Sequence, residues 1–425
     1  MRKLIRKSYK IITAEDKKII LENFFSLSTL QGITYIVPIA IIPYLMRVIG
    51  PGKLGLIAFA QAFVQYLMIL TDYGFSVSAT KEISLCRDRK DMVCSIFSSV
   101  MTVRIILAVV SLFILLAVIH FIPRFRKDYL VYLLSFGAVI GNTLFPVWFF
   151  QGTEKMKYIS KINITAGVAA ALGIVFFVRR PEDYLLIPLI NSLVMTGSGV
   201  AGLFIVFRRF DITFVRQTYG NIRTQLKAGW NVFISIVAIN AYTASRIFAV
   251  GLLTNNVITG YYSVAERLAY VIQTFPLLSF SQAIYPRISK IYSRNKKRAI
   301  KIMRKLQRST IIAYVVALPI LSLLAPWLSG IMCEVRAPIV ITSLRLLLIS
   351  VVFIAANAFK VQYLLVCGRT DTYSRIHISA ALVGMPLIFL SIYLFSYIGA
   401  AFSTIITEAG VFTLTAIAIA KLIKD

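Results

Sequence analysis

The sequence has few of the residues that build metal, disulfide or hydrolytic sites. Among 425 residues there are 17 acidic residues, four cysteines and two histidines. His120 and His377 lie at the ends of apolar segments without a second ligand at metal spacing, so we predict no metal site. The GxxxxGK[ST] pattern that cradles nucleotide phosphates is missing, so we expect no ATP hydrolysis by this chain, and no cofactor is predicted.

Long polar stretches are missing as well. Hydrophobic residues make up 58% of the chain, and the mean hydropathy is +0.80. A membrane-spanning helix needs about 20 apolar residues, and backbone in lipid must satisfy its own hydrogen bonds. The sequence therefore predicts an all-α polytopic membrane protein with no soluble domain. The twelve predicted transmembrane helices are 24–46, 54–78, 95–119, 129–150, 159–178, 184–207, 228–250, 257–281, 309–333, 339–366, 376–396 and 398–420.

Acidic charge is scarce relative to basic charge, and the formal net charge is +29. With the N-terminus placed in the cytoplasm, 33 of the 46 lysines and arginines fall in cytoplasmic segments, 8 fall outside and five lie within spans. The positive-inside rule therefore predicts that both termini are cytoplasmic. Because the basic residues follow membrane topology, nucleic-acid binding is not predicted. The four cysteines are divided between different compartments, so no disulfide within the chain is expected.

Two basic segments border the predicted membrane. We expect no cleavable signal peptide in the N-terminal tail, because it has no short apolar core and no small-residue cleavage site. A solvated tail and an interfacial helix on anionic lipid both remain open. The loop 282–308 has the pattern of a basic interfacial helix, held by anionic headgroups or by a cytoplasmic partner.

The chain has the organisation of two related halves. A shift of 205 residues aligns Gly55 with Gly260 and gives six identities over 30 ungapped positions. Because each half has an even number of spans, both take the same orientation in the membrane. The sequence therefore predicts an N-terminal six-helix bundle (1–207), a cytoplasmic linker (208–227) and a C-terminal six-helix bundle (228–425), pseudo-symmetric around a central cavity.

Arg267 is the most informative single residue, because it lies with Glu266 in the middle of the apolar run 257–284. Ionisable groups at membrane depth are costly and by default mark a binding site or a transport pathway. Arg104 is similarly deep, where its side chain cannot easily reach the interface. The candidate cavity cations are Arg267, Arg104, Arg246, Arg47, Arg345 and Lys360. For each of them the alternative is an ion pair between helices.

Three acidic residues also fall at membrane depth, and they are Asp72, Glu266 and Glu408. Each can pair with an arginine, or can carry a proton or Na⁺ that drives transport, because burial favours a neutralised carboxylate. Glu266 and Arg267 point about 100° apart on a helix, so they need not face one cavity. Asp72 has a further interpretation as part of a helix end at Tyr73 and Gly74.

Three blocks of sequence resemble one known family. The segments 43–84 (beginning PYLMRVIGPGKLG), 145–159 (FPVWFFQGTEKMKYI) and 229–289 (ending QAIYPRIS) are similar to the Wzx-type O-antigen and polysaccharide flippases. These flippases belong to the multidrug/oligosaccharidyl-lipid/polysaccharide exporter superfamily. The resemblance implies a transporter in the bacterial inner membrane that is not an enzyme. It also implies transport of undecaprenyl-diphosphate-linked oligosaccharide from the cytoplasmic to the periplasmic leaflet, with an O-antigen polymerase and a chain-length regulator as partners.

The physical demands of that task match the candidate residues. A diphosphate must cross hydrocarbon while its polyprenyl tail can stay among membrane lipids. Arginines lining a cavity between the bundles would offset the lost hydration of the diphosphate through their planar fork of donors. Rocking of one bundle against the other would then give alternating access.

Two other functions remain open. An exporter of drugs or of the peptidoglycan lipid precursor would use the same fold. A membrane glycosyltransferase or polymerase is disfavoured, because the longest predicted outer loop has only about 9 residues.

Overall fold

The computed structural model describes residues 36–294, 296–367 and 369–424. These residues form helices, with no β-strand among them. A short 3₁₀ helix, Pro181–Leu185, comes between α8 and α9. In chain order the α-helices are α1 (Ile36–Val48), α2 (Gly50–Asp72), α3 (Phe75–Cys86), α4 (Lys90–Phe121), α5 (Pro123–Lys127), α6 (Tyr129–Leu144), α7 (Val147–Gly152), α8 (Lys157–Phe177), α9 (Leu186–Arg209), α10 (Tyr219–Thr243), α11 (Ser245–Leu253), α12 (Asn256–Arg294), α13 (Lys296–Cys333), α14 (Pro338–Val366) and α15 (Thr370–Lys424).

The prediction of a multi-pass helical membrane protein is confirmed. Eight helices in the described part of the chain are long and apolar enough to cross a membrane. A ninth is obtained if α10 and α11 count as one span; these two helices meet at a bend of 49°.

The predicted number of twelve spans stays a prediction. The first predicted span is described only as the short helix α1. The eighth corresponds to α12, which is less apolar because it contains Glu266 and Arg267. The last two fall within α15, where Ser396 departs from helical geometry with a φ of 55°. This break separates an arm 370–395 from an arm 397–424.

Two glycines fix the closest approach of α2 and α12. A Cβ atom on Gly55 would collide with the backbone of Asn256 and Gly260, and one on Gly260 would collide with the backbone of Pro51. Small residues at such crossings let helix backbones touch, and the resulting van der Waals contact drives association where lipid removes the hydrophobic effect. The structure thus brings together the two glycines that the shift of 205 residues aligns.

An aromatic cluster packs beside this crossing. Phe59 and Phe63 of α2 contact Phe125 of α5, with ring-centroid distances of 5.3 and 5.1 Å. Tyr132 of α6 lies 4.7 Å from Phe125, and Phe248 of α11 stacks on Phe59 at 5.3 Å. Aromatic pairs of this kind add about 0.5–1.5 kcal/mol beyond their buried area. The cluster therefore attaches α11 to helices from the first part of the chain.

Arg124 of α5 strengthens the same junction. Its Nη1 atom donates hydrogen bonds to the carbonyl oxygens of Leu252 and Thr254, both at 3.1 Å. The last carbonyls of a helix lack partners within the helix and carry partial negative charge. A guanidinium at the end of α11 therefore satisfies both the hydrogen bonds and the helix dipole.

The far end of α2 is also packed against the second part of the chain. The helix stops at Tyr73 and Gly74, whose φ angles are 46° and 79°. The Tyr73 ring stacks on Phe233 of α10 at 4.7 Å. Gly229 of α10 faces Tyr73, where a Cβ atom would lie 2.8 Å from the Tyr73 carbonyl oxygen. Both ends of α2 are therefore in contact with α10 or α11.

The predicted linker 208–227 contains a non-helical segment, 210–218, between α9 and α10. Its Val215 amide donates to Ser98 Oγ at 2.9 Å, and Ser99 Oγ donates to Gln217 Oε1 at 2.6 Å. These bonds attach the segment to α4. The division into two bundles and a linker stays a prediction.

Two predicted basic segments lie wholly or partly outside the described residues. The basic tail before residue 36 is outside them. In the segment 282–308 the backbone continues α12 to Arg294 and begins α13 at Lys296, while the side chains up to residue 299 are outside the described part.

The glycine crossing generates a testable prediction. Gly260→Ala places a methyl group on the Pro51 carbonyl, so α2 and α12 must separate. We expect a loss of about 1–3 kcal/mol of stability, as for other overpacked sites. The measurement is the unfolding temperature of the purified protein in detergent. Gly197→Ala is the matched control, because nothing lies within 4 Å of a Cβ atom at that position. Equal unfolding temperatures for the two variants would contradict this account of the crossing.

Candidate functional site

The crossing of α2 and α12 places a cation opposite an amide. Arg267 lies about two helical turns after Gly260, and its Nη2 atom donates to Gln61 Oε1 of α2 at 3.0 Å. Gln61 accepts from one of the five N–H donors that a guanidinium carries. Within the residues that the structure describes, Arg267 makes no ion pair. Most of its hydrogen-bonding capacity is therefore left for a ligand.

The neighbouring carboxylate is bound elsewhere. Glu266 Oε1 accepts a hydrogen bond from Arg246 Nε of α11 at 2.7 Å, and both side chains are more than four-fifths buried. Arg246 Nη1 also lies 3.5 Å from Thr404 Oγ1 of α15. Arg246, and not the adjacent Arg267, is therefore the ion-pair partner of Glu266, although Glu266 and Arg267 both line one cavity.

Two cavities meet at Arg267. One has a volume of about 680 Å³ and is lined by α1, α2, α10, α11 and α12, including Arg246 and Glu266. The other has a volume of about 510 Å³ and is lined by α1, α2, α6, α8, α9 and α12. Arg267, Gln65 and Pro38 line both cavities. The guanidinium of Arg267 therefore lies on the boundary between two spaces of ligand size.

The cavity walls combine apolar surface with neutral hydrogen-bonding groups. The first cavity is lined by polar residues of α2 and α10 and the second by polar residues of α2, α6 and α9. Such walls suit a ligand with many hydroxyl or amide groups, while the guanidinium suits an oxyanion. The polar residues other than the charged ones are Gln65, Asn240, Thr243, Gln61, Ser135, Asn191 and Ser192.

Comparison of the sequence with known proteins identifies the family. A family model described as "Polysaccharide biosynthesis protein" matches residues 20–292. The chain belongs to this family. It is 30% identical over 398 residues to the "Putative O-antigen transporter" of Escherichia coli (strain K12), covering 91% of this chain and 93% of that protein. It is 25% identical over 391 residues to the "Putative O-antigen transporter" of Shigella dysenteriae, covering 91% and 96%.

Comparison of folds agrees with the family. The lipid II flippase MurJ in its inward closed conformation matches with a TM-score of 0.74 at 13% identity, over 93% of this chain and 87% of that chain. An inward-facing multidrug resistance transporter of the MATE family and MOP superfamily matches with a TM-score of 0.69 at 15% identity, over 96% and 98%. At these identities the likeness shows the fold alone. The predicted resemblance to Wzx-type flippases is confirmed, and this member of the polysaccharide biosynthesis protein family is a transporter and not an enzyme.

Arg104 of this transporter lies apart from the two cavities. It is 2% exposed, and its guanidinium donates to the carbonyl oxygens of Asn142 at 2.7 Å and Phe145 at 3.2 Å. These carbonyls belong to the C-terminal end of α6, where a positive charge is favourable. Asp72 Oδ1 lies 3.9 Å from Arg104 Nη2 and is the only acid paired with it in the described part of the chain. Arg104 and Asp72 therefore hold the end of α6 near α2 and α4.

The remaining candidate cations are dispersed. Arg47 forms an ion pair with Glu334 at an exposed site. Arg345 is exposed, and its Nε donates to the Ser322 carbonyl at 3.2 Å. Lys360 lines a third cavity, which neither Arg267 nor Arg246 lines. The structure thus brings Arg267, Arg246 and Glu266 of the transporter together, but not Arg104, Arg47, Arg345 or Lys360.

Glu408 is partly buried on the second arm of α15. It lies about one helical turn after Thr404, whose Oγ1 atom is 3.5 Å from Arg246 Nη1. The Tyr242 hydroxyl and His377 Nδ1 share a hydrogen bond of 2.7 Å. His377 lies near the end of an apolar segment but is only 8% exposed, because Tyr242 of α10 packs against it.

Several residues of the candidate site were not predicted from the sequence. Gln61 and Gln65 are uncharged, and their spacing of four residues, which puts them on one helix face, is the signal that could have found them. Tyr242 and His377 are 135 residues apart, and nothing in their local sequence indicates that they meet.

The buried ion pair of this transporter predicts a strong asymmetry between single and double variants. Arg246→Gln leaves the Glu266 carboxylate buried without its partner, which typically costs about 3–5 kcal/mol. Arg246→Gln combined with Glu266→Gln removes both charges and should restore most of the lost stability. The measurement is again the unfolding temperature in detergent.

Arg47→Gln is the matched control for that comparison. The pair Arg47–Glu334 is exposed, with side-chain exposures of 70% and 47%, and exposed pairs contribute only about 0–1 kcal/mol. If Arg246→Gln were no more destabilising than Arg47→Gln, the buried pair would not contribute as described.

Proposed function

We propose that this chain carries undecaprenyl-diphosphate-linked O-antigen or polysaccharide repeat units from the cytoplasmic to the periplasmic leaflet of the bacterial inner membrane. The observation that carries the proposal is Arg267, a cation at the boundary of two cavities that forms no ion pair with a carboxylate among the described residues. The names of the two transporter relatives supply the class of glycan.

Recognition of the diphosphate is assigned to Arg267. Its planar fork can donate two parallel hydrogen bonds to phosphate oxygens, and a site away from bulk water strengthens them. The ion pair of Arg246 with Glu266 is neutral overall, so it does not cancel the positive charge of Arg267. Gln61 orients the guanidinium from the opposite helix.

Recognition of the glycan is assigned to the cavity walls. Volumes of about 680 and 510 Å³ fall in the usual range of roughly 300–1,000 Å³ for ligand sites. Amides and hydroxyls such as Gln65, Asn191 and Asn240 can exchange hydrogen bonds with sugar hydroxyls. The polyprenyl tail stays among the membrane lipids, so it is never transferred out of hydrocarbon and this part of the substrate adds no free-energy cost.

Twelve transmembrane helices in two six-helix bundles, with both termini cytoplasmic, form the proposed architecture. The break of α15 at Ser396 supports counting its arms as two spans. The contact between Gly55 and Gly260, which occupy equivalent positions of the repeat, supports a pseudo-symmetric pair of bundles. Rocking of the bundles about this contact would expose the cavities to one side and then to the other.

We also propose that a cation drives the cycle through Glu408. A proton or Na⁺ on this carboxylate would remove its attraction for Arg246 and so strengthen the bond of Arg246 to Glu266. Glu408 lies about one helical turn from Thr404, the residue of α15 nearest to Arg246 in the cavity wall, which supports a link between cation and glycan. On the outer side, an O-antigen polymerase and a chain-length regulator are the proposed protein partners.

The role of Arg267 can be tested in cells that display an O-polysaccharide dependent on this chain. Arg267→Ala should reduce display by roughly 10- to 100-fold, because a hydrogen bond to a charged group contributes about 1.5–3 kcal/mol. Arg267→Lys should retain part of the display if charge suffices and little if the fork is required. The measurement is surface polysaccharide normalised to the amount of membrane-inserted protein.

Arg345→Ala is the matched control, because Arg345 is exposed and lines neither cavity. Normal display with Arg267→Ala would remove Arg267 from the pathway.

The second candidate function, export of drugs or of the peptidoglycan lipid precursor, is favoured by the fold shared with the MATE transporter and MurJ. Deletion of the gene distinguishes them: altered drug sensitivity or cell-wall synthesis with intact O-polysaccharide would contradict the proposal.

Coupling can be tested in membrane vesicles with imposed gradients. A gradient of H⁺ or of Na⁺ should accelerate transport by the natural protein, and Glu408→Gln should abolish that acceleration. Glu182→Gln is the control, because Glu182 is exposed at the 3₁₀ helix. Acceleration that persists in Glu408→Gln would exclude Glu408 as the coupling residue.

A further inference from the structure

A third cavity lies between α13, α14 and the second arm of α15. Its volume is about 240 Å³, and it shares no lining residue with the two cavities that meet at Arg267. Two basic side chains line it, Arg304 from α13 and Lys360 from α14, and no acidic residue does. This cavity is therefore a positively charged space separate from the two cavities that Arg267 lines.

Lys360 packs against an aromatic ring, a contact that leaves the N–H groups of its ammonium available to an anion. Its Nζ atom lies 3.4 Å from the ring centroid of Phe412. The face of an aromatic ring attracts an ammonium group but does not neutralise its charge, and the group carries three N–H donors. The described residues show no ion pair for Lys360. Gln307 is fixed at the same wall by its bond to the Ala356 carbonyl, at 2.8 Å.

The positive charge near this cavity is not cancelled by the neighbouring sequence. The stretch 275–308 contains ten lysines and arginines and no acidic residue. Arg304 is exposed at the edge of the cavity. A basic helix of this kind is attracted to the anionic surface of a membrane.

The size and the walls of the cavity limit what can bind there. Its volume lies below the usual range of roughly 300–1,000 Å³ for ligand pockets, so a glycan repeat unit does not fit. Apart from its basic residues, Gln307 and Tyr363, the lining is apolar, and Ile300, Met303 and Ile419 provide surface suited to hydrocarbon chains. A small anionic group with an apolar continuation matches both properties.

We propose that this cavity binds the phosphate-bearing headgroup of an anionic glycerophospholipid from the surrounding membrane. The phosphate lies between Arg304 and Lys360, and the acyl chains follow the apolar side chains of α13 and α15. Bound in this way, the lipid joins the basic start of α13 to α14 and to the second arm of α15. Lys360 thus has a role distinct from contact with the transported glycan.

Native mass spectrometry of the purified full-length protein can test this proposal. Phosphatidylglycerol, phosphatidylcholine, glycerol phosphate and undecaprenyl diphosphate are the probes. We expect phosphatidylglycerol to bind more tightly than phosphatidylcholine. The double variant Arg304→Gln with Lys360→Met should weaken phosphatidylglycerol binding at least about tenfold, given the attraction of each basic residue for anionic lipid.

Lys305→Gln is the matched control, because it removes one charge from the same helix at an exposed position outside the cavity. Lys360→Arg keeps the positive charge and should retain phosphatidylglycerol binding. Retained binding would indicate that the loss of binding in the double variant comes from the lost charge and not from misfolding. Equal binding of phosphatidylcholine, or unchanged binding by the double variant, would overturn the proposal. Glycerol phosphate binding as tightly as the lipid would overturn the part played by the acyl chains, and preferential capture of undecaprenyl diphosphate at this cavity would return Lys360 to the transport pathway.

Discussion

The contact of α2 and α12 backbone to backbone is the constraint on which the rest of the structure depends. In lipid, helices gain little from apolar burial, so their association rests on close packing. Gly55 and Gly260 permit that packing. Gln61 and Arg267 meet because they lie about two turns beyond the crossing. The aromatic cluster around Phe59 lies one turn beyond Gly55.

Four buried or partly buried arginines show three ways of keeping a charge away from water. Arg104 and Arg124 donate to carbonyls at helix ends, Arg246 pairs with a carboxylate, and Arg267 holds a neutral amide. Arg104 and Arg124 supply the hydrogen-bond donors that the last carbonyls of a helix lack. Their charges therefore stabilise helix ends and are not available to a ligand. Arg246 forms a neutral pair. Among these four arginines, Arg267 alone keeps an unneutralised positive charge beside a space that a ligand can enter. Its environment, and not its residue type, distinguishes it from the other three.

The sequence could predict a multi-pass helical membrane protein because apolar length is a local property. The interruption of α15 at Ser396 falls where two predicted spans meet, whereas the break at Tyr73 and Gly74 falls inside the predicted span 54–78. Helical geometry allows Glu266 and Arg267 to face different cavities, yet both line the cavity of about 680 Å³. By contrast, the partners of Arg104 are carbonyls that become available only because α6 ends near α4. The ring under Lys360 comes from a helix 52 residues further along the chain, so no local pattern could reveal either contact.

The bend between α10 and α11 has a consequence for the ion pair beside it. Ala244 is the vertex of the bend, and Arg246 lies on the first turn of α11, close to that vertex. A change of angle would therefore rotate the arginine side chain more than it displaces the backbone, whereas Glu266 belongs to a different helix and would not follow. The distance between the Arg246 guanidinium and the Glu266 carboxylate therefore depends on the angle between α10 and α11. The ion pair that neutralises charge in the cavity wall is thus coupled to the bend of these two helices.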